Sequence, residues 1–206
     1  PVLPQHIGSK PVLTVPDQAL RWTGVGKFSP QGRYYLDLTP EWGFSLYDFD
    51  RCTGLLSNER RVNYTQIPTR DVRGGSGIEF SPDERFLYLT STHGYSSHPA
   101  FPRSNVAYMI QYDLTAPEWW RKGDTLTDIP PGPYGYGPGE KYYDQQLLGS
   151  ATGPDGRIYI SNPTTTYCTV QYPDRKGKAA LFRYNNPDFK NNIYRGIPSL
   201  PNYRLG

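Results

Sequence analysis

The sequence predicts an all-β chain built from repeated four-stranded antiparallel units, and three observations carry this prediction. A strand–turn–strand motif occurs three times, around Ser29-Pro30, Ser81-Pro82 and Gly153-Pro154. Glycine and proline number 21 each without a collagen period, which is typical of many short strands and turns. The aromatic content of 15%, with 18 tyrosines, is too high for a disordered segment.

Each copy of the motif places a short apolar run before a tight turn and an aromatic or β-branched run after it. The clearest copy runs from Gly77 to Ser91 and has Ser81-Pro82-Asp83 at its turn. Proline presets φ at the first turn position, and Asp or Gly tolerates the positions that follow. The motif therefore predicts two antiparallel strands joined by a tight turn, which is half of a β-propeller blade.

The repeats divide the chain into successive predicted units. We predict that residues 1–23 form the tail of a preceding blade, residues 24–66 a first blade, and residues 67–128 a second blade with an inserted hairpin. Residues 129–144 form a Pro/Gly/Tyr loop, and residues 145–206 form a third blade and an exit segment. Because about three blades cannot close a ring, we expect one partial domain of a propeller with about six to eight blades.

The composition argues against two classes of function. The formal net charge is +3, and the 22 basic and 19 acidic residues are scattered, so no basic run interleaved with aromatics suggests nucleic-acid binding. The apolar runs are a few residues long, far below the roughly 20 residues that a membrane-spanning helix needs. We therefore expect a chain that neither binds nucleic acid nor spans a membrane.

The chain ends and the cysteines leave several alternatives open. The chain begins at Pro1 without an initiator Met or signal peptide and ends at Gly206, which favours a piece or a processed product of a larger polypeptide. Cys52 and Cys168 are too few for a disulfide framework. They either bridge, remain as buried free thiols, or pair with something outside this chain.

The acidic residues and histidines do not assemble a predicted catalytic or metal site. Asp48 and Asp50 lie two apart on a predicted strand and present two carboxylates to a metal or cap the following turn; the recurrence of the position as Asp113 favours the cap. His93 and His98 supply two ligands where a metal site needs three or more. The Gly-x-Ser-x-Gly elbow of serine hydrolases does not occur.

Aromatic residues are the predicted binding residues. They lie in or beside the Pro/Gly/Tyr loop and in the first hairpin: Trp119, Trp120, Tyr134, Tyr136, Tyr142 and Trp42. Such rings stack on sugars or anchor protein interfaces. The alternative is that they pack onto the outer strands of the blades. The predicted partners are therefore a protein partner or the remaining blades, and carbohydrate is a second candidate.

The segment from Gly77 to Asp83, followed by the run from Arg85 to Leu89, resembles the repeats of YVTN and WD-repeat-like β-propellers of bacterial secreted proteins. Residues 46–58, 172–182 and 197–206 resemble the propeller region of large Bacteroidota cell-surface proteins, many of which are cargo of type IX secretion. The resemblance implies an extracellular or cell-surface location.

The resemblance also implies a modification, and the chain departs from the family pattern in two ways. Asp124-Thr125-Leu126 fits the short motif that such organisms use for O-glycosylation, which implies a glycan on Thr125. Family members often have Cys where this chain has Ala180, and the chain contains no sorting domain.

These observations predict a binding or structural interaction module that belongs to a larger protein or assembly, with no cofactor. One alternative is a propeller hydrolase of the lactonase or gluconolactonase type, whose sites use acids, Asn and often a divalent cation such as Ca²⁺ at the central channel. Glu79 is the acid that this chain places in a predicted innermost strand. The other alternative is a subunit of a surface filament or secretion complex.

Overall fold

The computed structural model describes residues 25–39, 43–63, 75–91, 107–129, 147, 149–161 and 167–186. These residues form three four-stranded sheets, and every pairing of neighbouring strands is antiparallel. Each sheet uses four consecutive strands, so its strand order follows the order of the chain. The predicted all-β class and the predicted four-stranded antiparallel units are confirmed.

The strands fall into three groups along the chain. Sheet 1 comprises β1 (Val25–Phe28), β2 (Tyr34–Thr39), β3 (Gly43–Phe49) and β4 (Leu56–Asn63). Sheet 2 comprises β5 (Gly75–Phe80), β6 (Phe86–Ser91), β7 (Ala107–Asp113) and β8 (Gly123–Ile129). Sheet 3 comprises β9 (Ser150–Thr152), β10 (Ile158–Ser161), β11 (Tyr167–Val170) and β12 (Phe182–Asn186). Sheet 2 runs one residue past the predicted blade boundary at 128.

The turn serines close the first turn of sheets 1 and 2. The backbone N–H of Tyr34 donates to Ser29 Oγ at 2.9 Å, and the backbone N–H of Phe86 donates to Ser81 Oγ at 2.8 Å. Both serines are buried, so the bond satisfies a backbone group that water does not reach. The Ser-Pro motif thus forms the tight turn between the first two strands of these sheets.

Sheet 2 lies between the other two sheets and is buried on both faces. Because side chains alternate along a strand, Leu87 and Leu89 of β6 face one side while Phe86 and Tyr88 face the other. The two leucines belong to the hydrophobic cluster shared with sheet 1, and the two aromatic residues belong to the cluster shared with sheet 3. A strand buried on both sides is expected to lack polar alternation, and β6 does lack it.

Sheet 1 packs on sheet 2 through one face only. Leu36 and Leu38 of β2 are fully buried against sheet 2. The opposite face carries Phe28, whose ring lies 4.9 Å from that of Tyr35 and 4.7 Å from that of Phe49. Phe28 remains 54% exposed, and no sheet in the described part of the chain covers it. We call this surface the open face of sheet 1.

Sheet 3 also packs on sheet 2 through one face only. Ile158 and Ile160 of β10 pack on sheet 2, so Tyr159 between them lies on the opposite face. Tyr159 is half-buried, and its ring lies 5.4 Å from that of Tyr167. No other sheet of the described residues packs on this surface, which we call the open face of sheet 3.

The cysteines, the membrane prediction and the inserted hairpin have different outcomes. No disulfide joins Cys52 and Cys168, so the alternative of a bridge between them is wrong; Cys168 is buried as the second alternative expects, whereas Cys52 is exposed. Within the described residues, no helix has the length and apolar character needed to cross a membrane. The inserted hairpin residues His93 and His98 lie outside the described residues.

Candidate functional site

The first strands of the three sheets, β1, β5 and β9, are joined by an ion pair and its hydrogen bonds. Lys27 and Glu79 occupy the same position in their repeats, two residues before the turn serine. Lys27 Nζ lies 2.6 Å from Glu79 Oε2 and donates to the backbone oxygen of Ser150 at 3.3 Å. The backbone N–H of Thr152 donates to Glu79 Oε2 at 3.1 Å. These four residues form the inner-strand cluster.

Glu79 is buried, and both of its carboxylate oxygens have partners. Its residue exposure is 5%, and burial raises the pKa of its carboxyl group, with Lys27 and two backbone N–H groups acting in the opposite direction. The second of those N–H groups is that of Phe80, which donates to Glu79 Oε1 at 3.1 Å. The cluster therefore holds a carboxylate together with its own counterion instead of an unpaired charge.

Two hydroxyl groups lie in the same place. Ser150 Oγ and Thr152 Oγ1 are buried and have no hydrogen-bond partner among the described residues. Ser150 pairs with Ile160 and Thr152 pairs with Ile158, so both side chains lie on the face of sheet 3 that packs on sheet 2. A small polar molecule that reached Glu79 would find two further donors or acceptors here.

The other acidic residues have structural partners. Asp50 Oδ1 accepts the backbone N–H of Cys52 at 2.8 Å, and Asp50 Oδ2 accepts the Thr53 hydroxyl at 2.7 Å. Asp113 accepts the hydroxyl of Thr115 at 2.6 Å in the corresponding turn of sheet 2. The predicted turn cap is confirmed for Asp50 and Asp113. It is wrong for Asp48, whose carboxylate accepts hydrogen bonds from Asn58 and Arg60 of β4. In the described part of the chain, no three His, Cys, Asp or Glu side chains are grouped closely enough to hold a metal ion.

The two described members of the aromatic set pack against the sheets. Trp119 is 4% exposed and lies in the core between sheets 1 and 2, with its ring 6.3 Å from Phe44 and 5.9 Å from Tyr112. Trp120 is half-buried, 6.0 Å from Trp119. Both residues therefore pack onto the protein, as the alternative to ligand binding predicts.

The remaining members of the aromatic set are Tyr134, Tyr136, Tyr142 and Trp42, and they lie outside the described residues. Their role in binding stays a prediction. Sequence reasoning singled out Glu79 but missed its partners Lys27, Ser150 and Thr152. The available signal was that two repeats carry opposite charges at one position, Lys27 and Glu79.

No protein-family model and no curated protein matches the chain. Among solved structures, the periplasmic gluconolactonase PpgL of Pseudomonas aeruginosa aligns over 79% of this chain and 44% of its own, with 14% identity and a TM-score of 0.45. A luciferin-regenerating enzyme aligns over 66% of this chain and 36% of its own, with 15% identity and a TM-score of 0.42. The major Malassezia sympodialis allergen Mala s 1 aligns over 75% and 46%, with 11% identity and a TM-score of 0.41. This chain spans less than half the length of each of these three structures.

Proposed function

We propose that this chain is part of a β-propeller that acts as a binding or structural interaction module, and that its open sheet faces receive further blades. One observation carries the proposal: sheet 2 is buried on both faces, whereas sheets 1 and 3 are each covered by a described sheet on one face. An aromatic surface such as that of Phe28, Tyr35 and Phe49 is costly to leave in water. A further blade that packed on this surface would remove the aromatic residues from water.

The inner-strand cluster supports the same proposal. In a propeller the first strand of each blade lines the central channel, so these strands come close to one another. Lys27, Glu79 and Thr152 come from three first strands, and Glu79 contacts both of the others directly. Such contacts between sheets fit a radial arrangement around an axis.

The hydrolase alternative gives Glu79 a catalytic or metal-binding role. Lys27 already neutralises this carboxylate at 2.6 Å, and two backbone N–H groups occupy its oxygens. A carboxylate with these partners is suited to holding strands together, so we propose a module without a cofactor. Residues beyond the described ones would have to supply the further ligands that Ca²⁺ requires.

An extracellular or cell-surface location is part of the proposal and is supported by the resemblance to Bacteroidota surface propellers. Thr125 is exposed on β8, which an O-linked glycan at this position requires. A protein partner or remaining blades fit the open faces, which carry aromatic residues. Carbohydrate is the second proposed ligand because stacked aromatic rings also bind sugars.

Hydroxyl-radical footprinting of the protein isolated from its source, with its intact mass, tests the proposal. We expect Phe28 to be oxidised slowly, because a further blade covers it. Tyr172 is the control, since it is 48% exposed and lies in the turn before the 3₁₀ segment Gly177–Ala180. A mass above 23.4 kDa would place the further blades in the same polypeptide, and a matching mass would place them in a partner.

One footprinting result would contradict the proposal. If Phe28 is oxidised as fast as its 54% exposure implies, while Tyr172 behaves as expected, then nothing covers the open face of sheet 1. The proposed interaction through this face would then be wrong.

A further inference from the structure

We infer that the open faces of sheets 1 and 3 fit each other across two copies of this chain, so that two copies close a six-bladed ring. This inference rests on the proposed function and names the partner. Each copy contributes its three described sheets. The open face of sheet 1 in one copy packs on the open face of sheet 3 in the other, and the same contact repeats on the opposite side.

The number of sheets selects the number of copies. Propellers generally close with about four to eight blades. One copy supplies three described sheets, which is too few, and three copies would supply more than a ring of this kind accommodates. Two copies fall within the range, so a ring made only of this chain is a dimer.

The aromatic residues of the two open faces match in kind. Phe28, Tyr35 and Phe49 form a ring cluster on sheet 1, and Tyr159 and Tyr167 form a ring pair on sheet 3. The existing contact between sheets 1 and 2 uses the same chemistry, since the rings of Tyr34 and Phe80 stack 6.3 Å apart. Aromatic residues on both sides are therefore an established way of joining sheets in this chain.

The outer strands of the two faces carry charged residues: β4 places both Glu59 and Arg61 on the open face of sheet 1, since Arg61 pairs with Ser45, and β12 places Arg183 on that of sheet 3. Glu59 of β4 lies on the open face of sheet 1, where its carboxylate accepts the hydroxyls of Ser45 at 2.7 Å and Tyr47 at 2.9 Å. Arg183 of β12 is exposed and pairs with Thr169, which pairs with Tyr159 on the open face of sheet 3. An acid and a base thus occupy the outer strands of surfaces that are to meet.

The contact is heterologous, because two different faces meet. Such a contact closes into a ring when the rotation between copies allows it and otherwise continues into a filament. In the closed dimer, each copy brings a Lys27–Glu79 pair to one central channel. The inner-strand cluster of a single copy is then half of the complete axial site.

Sedimentation velocity of the 206-residue chain across a range of concentrations tests the inference. We expect a species of twice 23.4 kDa that does not grow further. Phe28→Asp should weaken dimerisation by about tenfold or more, because it places a charge in the aromatic contact. Leu55→Asp is the matched control, since Leu55 is 58% exposed and lies in the turn between β3 and β4 instead of on a strand of the face, so it should leave the dimer intact.

A charge exchange separates the intermolecular contact from effects on folding. Glu59→Arg and Arg183→Glu should each weaken the dimer, and the double variant should recover most of the loss. The two residues belong to sheets 1 and 3 of one copy, which sheet 2 separates, so recovery requires contact between copies.

Other outcomes would overturn the inference. These are a folded monomer at every concentration, open filaments, equal behaviour of Phe28→Asp and Leu55→Asp, or no recovery in the double variant. A folded monomer whose Phe28 is nevertheless protected in the protein from its source would leave the proposed function standing and reject only the second copy as the partner.

Discussion

Glu84 occupies a backbone conformation that the other two repeats give to glycine. Its φ is 59°, and the corresponding residues are Gly32 with φ 71° and Gly156 with φ 78°. A side chain in this left-handed region costs about 1 kcal/mol or more. The buried carboxylate of Glu84 accepts the backbone N–H of Gln31 and the Nε–H of Arg33 from the turn of sheet 1. The side chain of this strained residue thus joins sheets 1 and 2, and its hydrogen bonds offset the cost of the backbone conformation.

This arrangement predicts different losses for two substitutions of Glu84. Glu84→Ala removes both hydrogen bonds and keeps the strained backbone, so the free energy of unfolding should fall by about 2–3 kcal/mol. Glu84→Gly removes the same bonds and relieves the strain, so its loss should be smaller by about 1 kcal/mol. Urea denaturation measures both, and Gly156→Ala should reveal the strain alone. Equal losses for the two Glu84 variants would contradict this account.

Asp174 and Asp83 form a carboxyl pair where sheets 2 and 3 meet. Asp174 Oδ1 accepts the backbone N–H of Asp83 at 3.1 Å. Burial raises the pKa of Asp174, the N–H of Asp83 lowers it, and the carboxylate of Asp83 raises it further. A carboxyl group with a raised folded-state pKa contributes stability below its unfolded pKa, and that contribution is lost as the pH rises through the folded pKa.

Asp174→Asn should therefore stabilise the protein at neutral pH, because it removes the repulsion from Asp83 and keeps an oxygen that accepts the N–H. Both groups are partly in water, so the gain should stay below about 1 kcal/mol. It should shrink as the pH falls through the raised pKa of Asp174, because the carboxyl group becomes protonated there and the repulsion from Asp83 disappears. Thermal unfolding at several pH values measures this, and an unchanged gain in acid would contradict it.

At the scale of strands, the Lys27–Glu79 pair joins β1 to β5, and Thr152 extends the contact to β9. Sheets 2 and 3 are joined a second time through Gln111 of β7. Its amide donates to the backbone oxygen of Arg175 at 2.8 Å, and its oxygen accepts the N–H of Gly177 at 2.7 Å. Polar groups thus bridge the sheets both at their first strands and at β7.

Removing the counterion of Glu79 should be more harmful than removing the whole pair. Lys27→Met leaves a buried carboxylate unpaired and should cost about 3–5 kcal/mol of unfolding free energy at neutral pH. The double variant with Glu79→Leu should recover much of that loss, because no charge remains buried. Denaturant titrations of the single and double variants measure the difference.

The pH dependence of the single variant provides the control. The pKa of Glu79 is raised by burial, so the stability associated with its protonated form is present in acid and lost as the pH rises. The defect of Lys27→Met should therefore diminish in acid. A double variant as unstable as Lys27→Met at neutral pH would show that the pair acts through packing instead of charge.

At the scale of the whole molecule, the position of each sheet decides the role of its residues. Sheet 2 is an interior layer, so its Tyr88 and Gln111 serve contacts with sheet 3, and the Tyr88 hydroxyl donates to the backbone oxygen of Pro173 at 2.6 Å. Sheets 1 and 3 end the described stack, and their aromatic residues Phe28 and Tyr159 lie on its outer surfaces. Footprinting and sedimentation test whether further blades, and a second copy in particular, cover these surfaces.

The sequence by itself determined the strand-and-turn plan of this chain. Turn geometry depends on residues that are neighbours in sequence. The motifs around Ser29 and Ser81 therefore predicted their turns, and Asp50 predicted a turn cap.

Only the tertiary structure decided which distant residues meet. Lys27 and Glu79 lie in different repeats, and no local pattern specifies that their side chains pair. The burial of Trp119 could not be predicted locally either: its residue type is common at binding sites, yet it is buried between sheets 1 and 2. Burial and ion pairing depend on how the sheets stack, and stacking is a property of surfaces assembled from the whole chain.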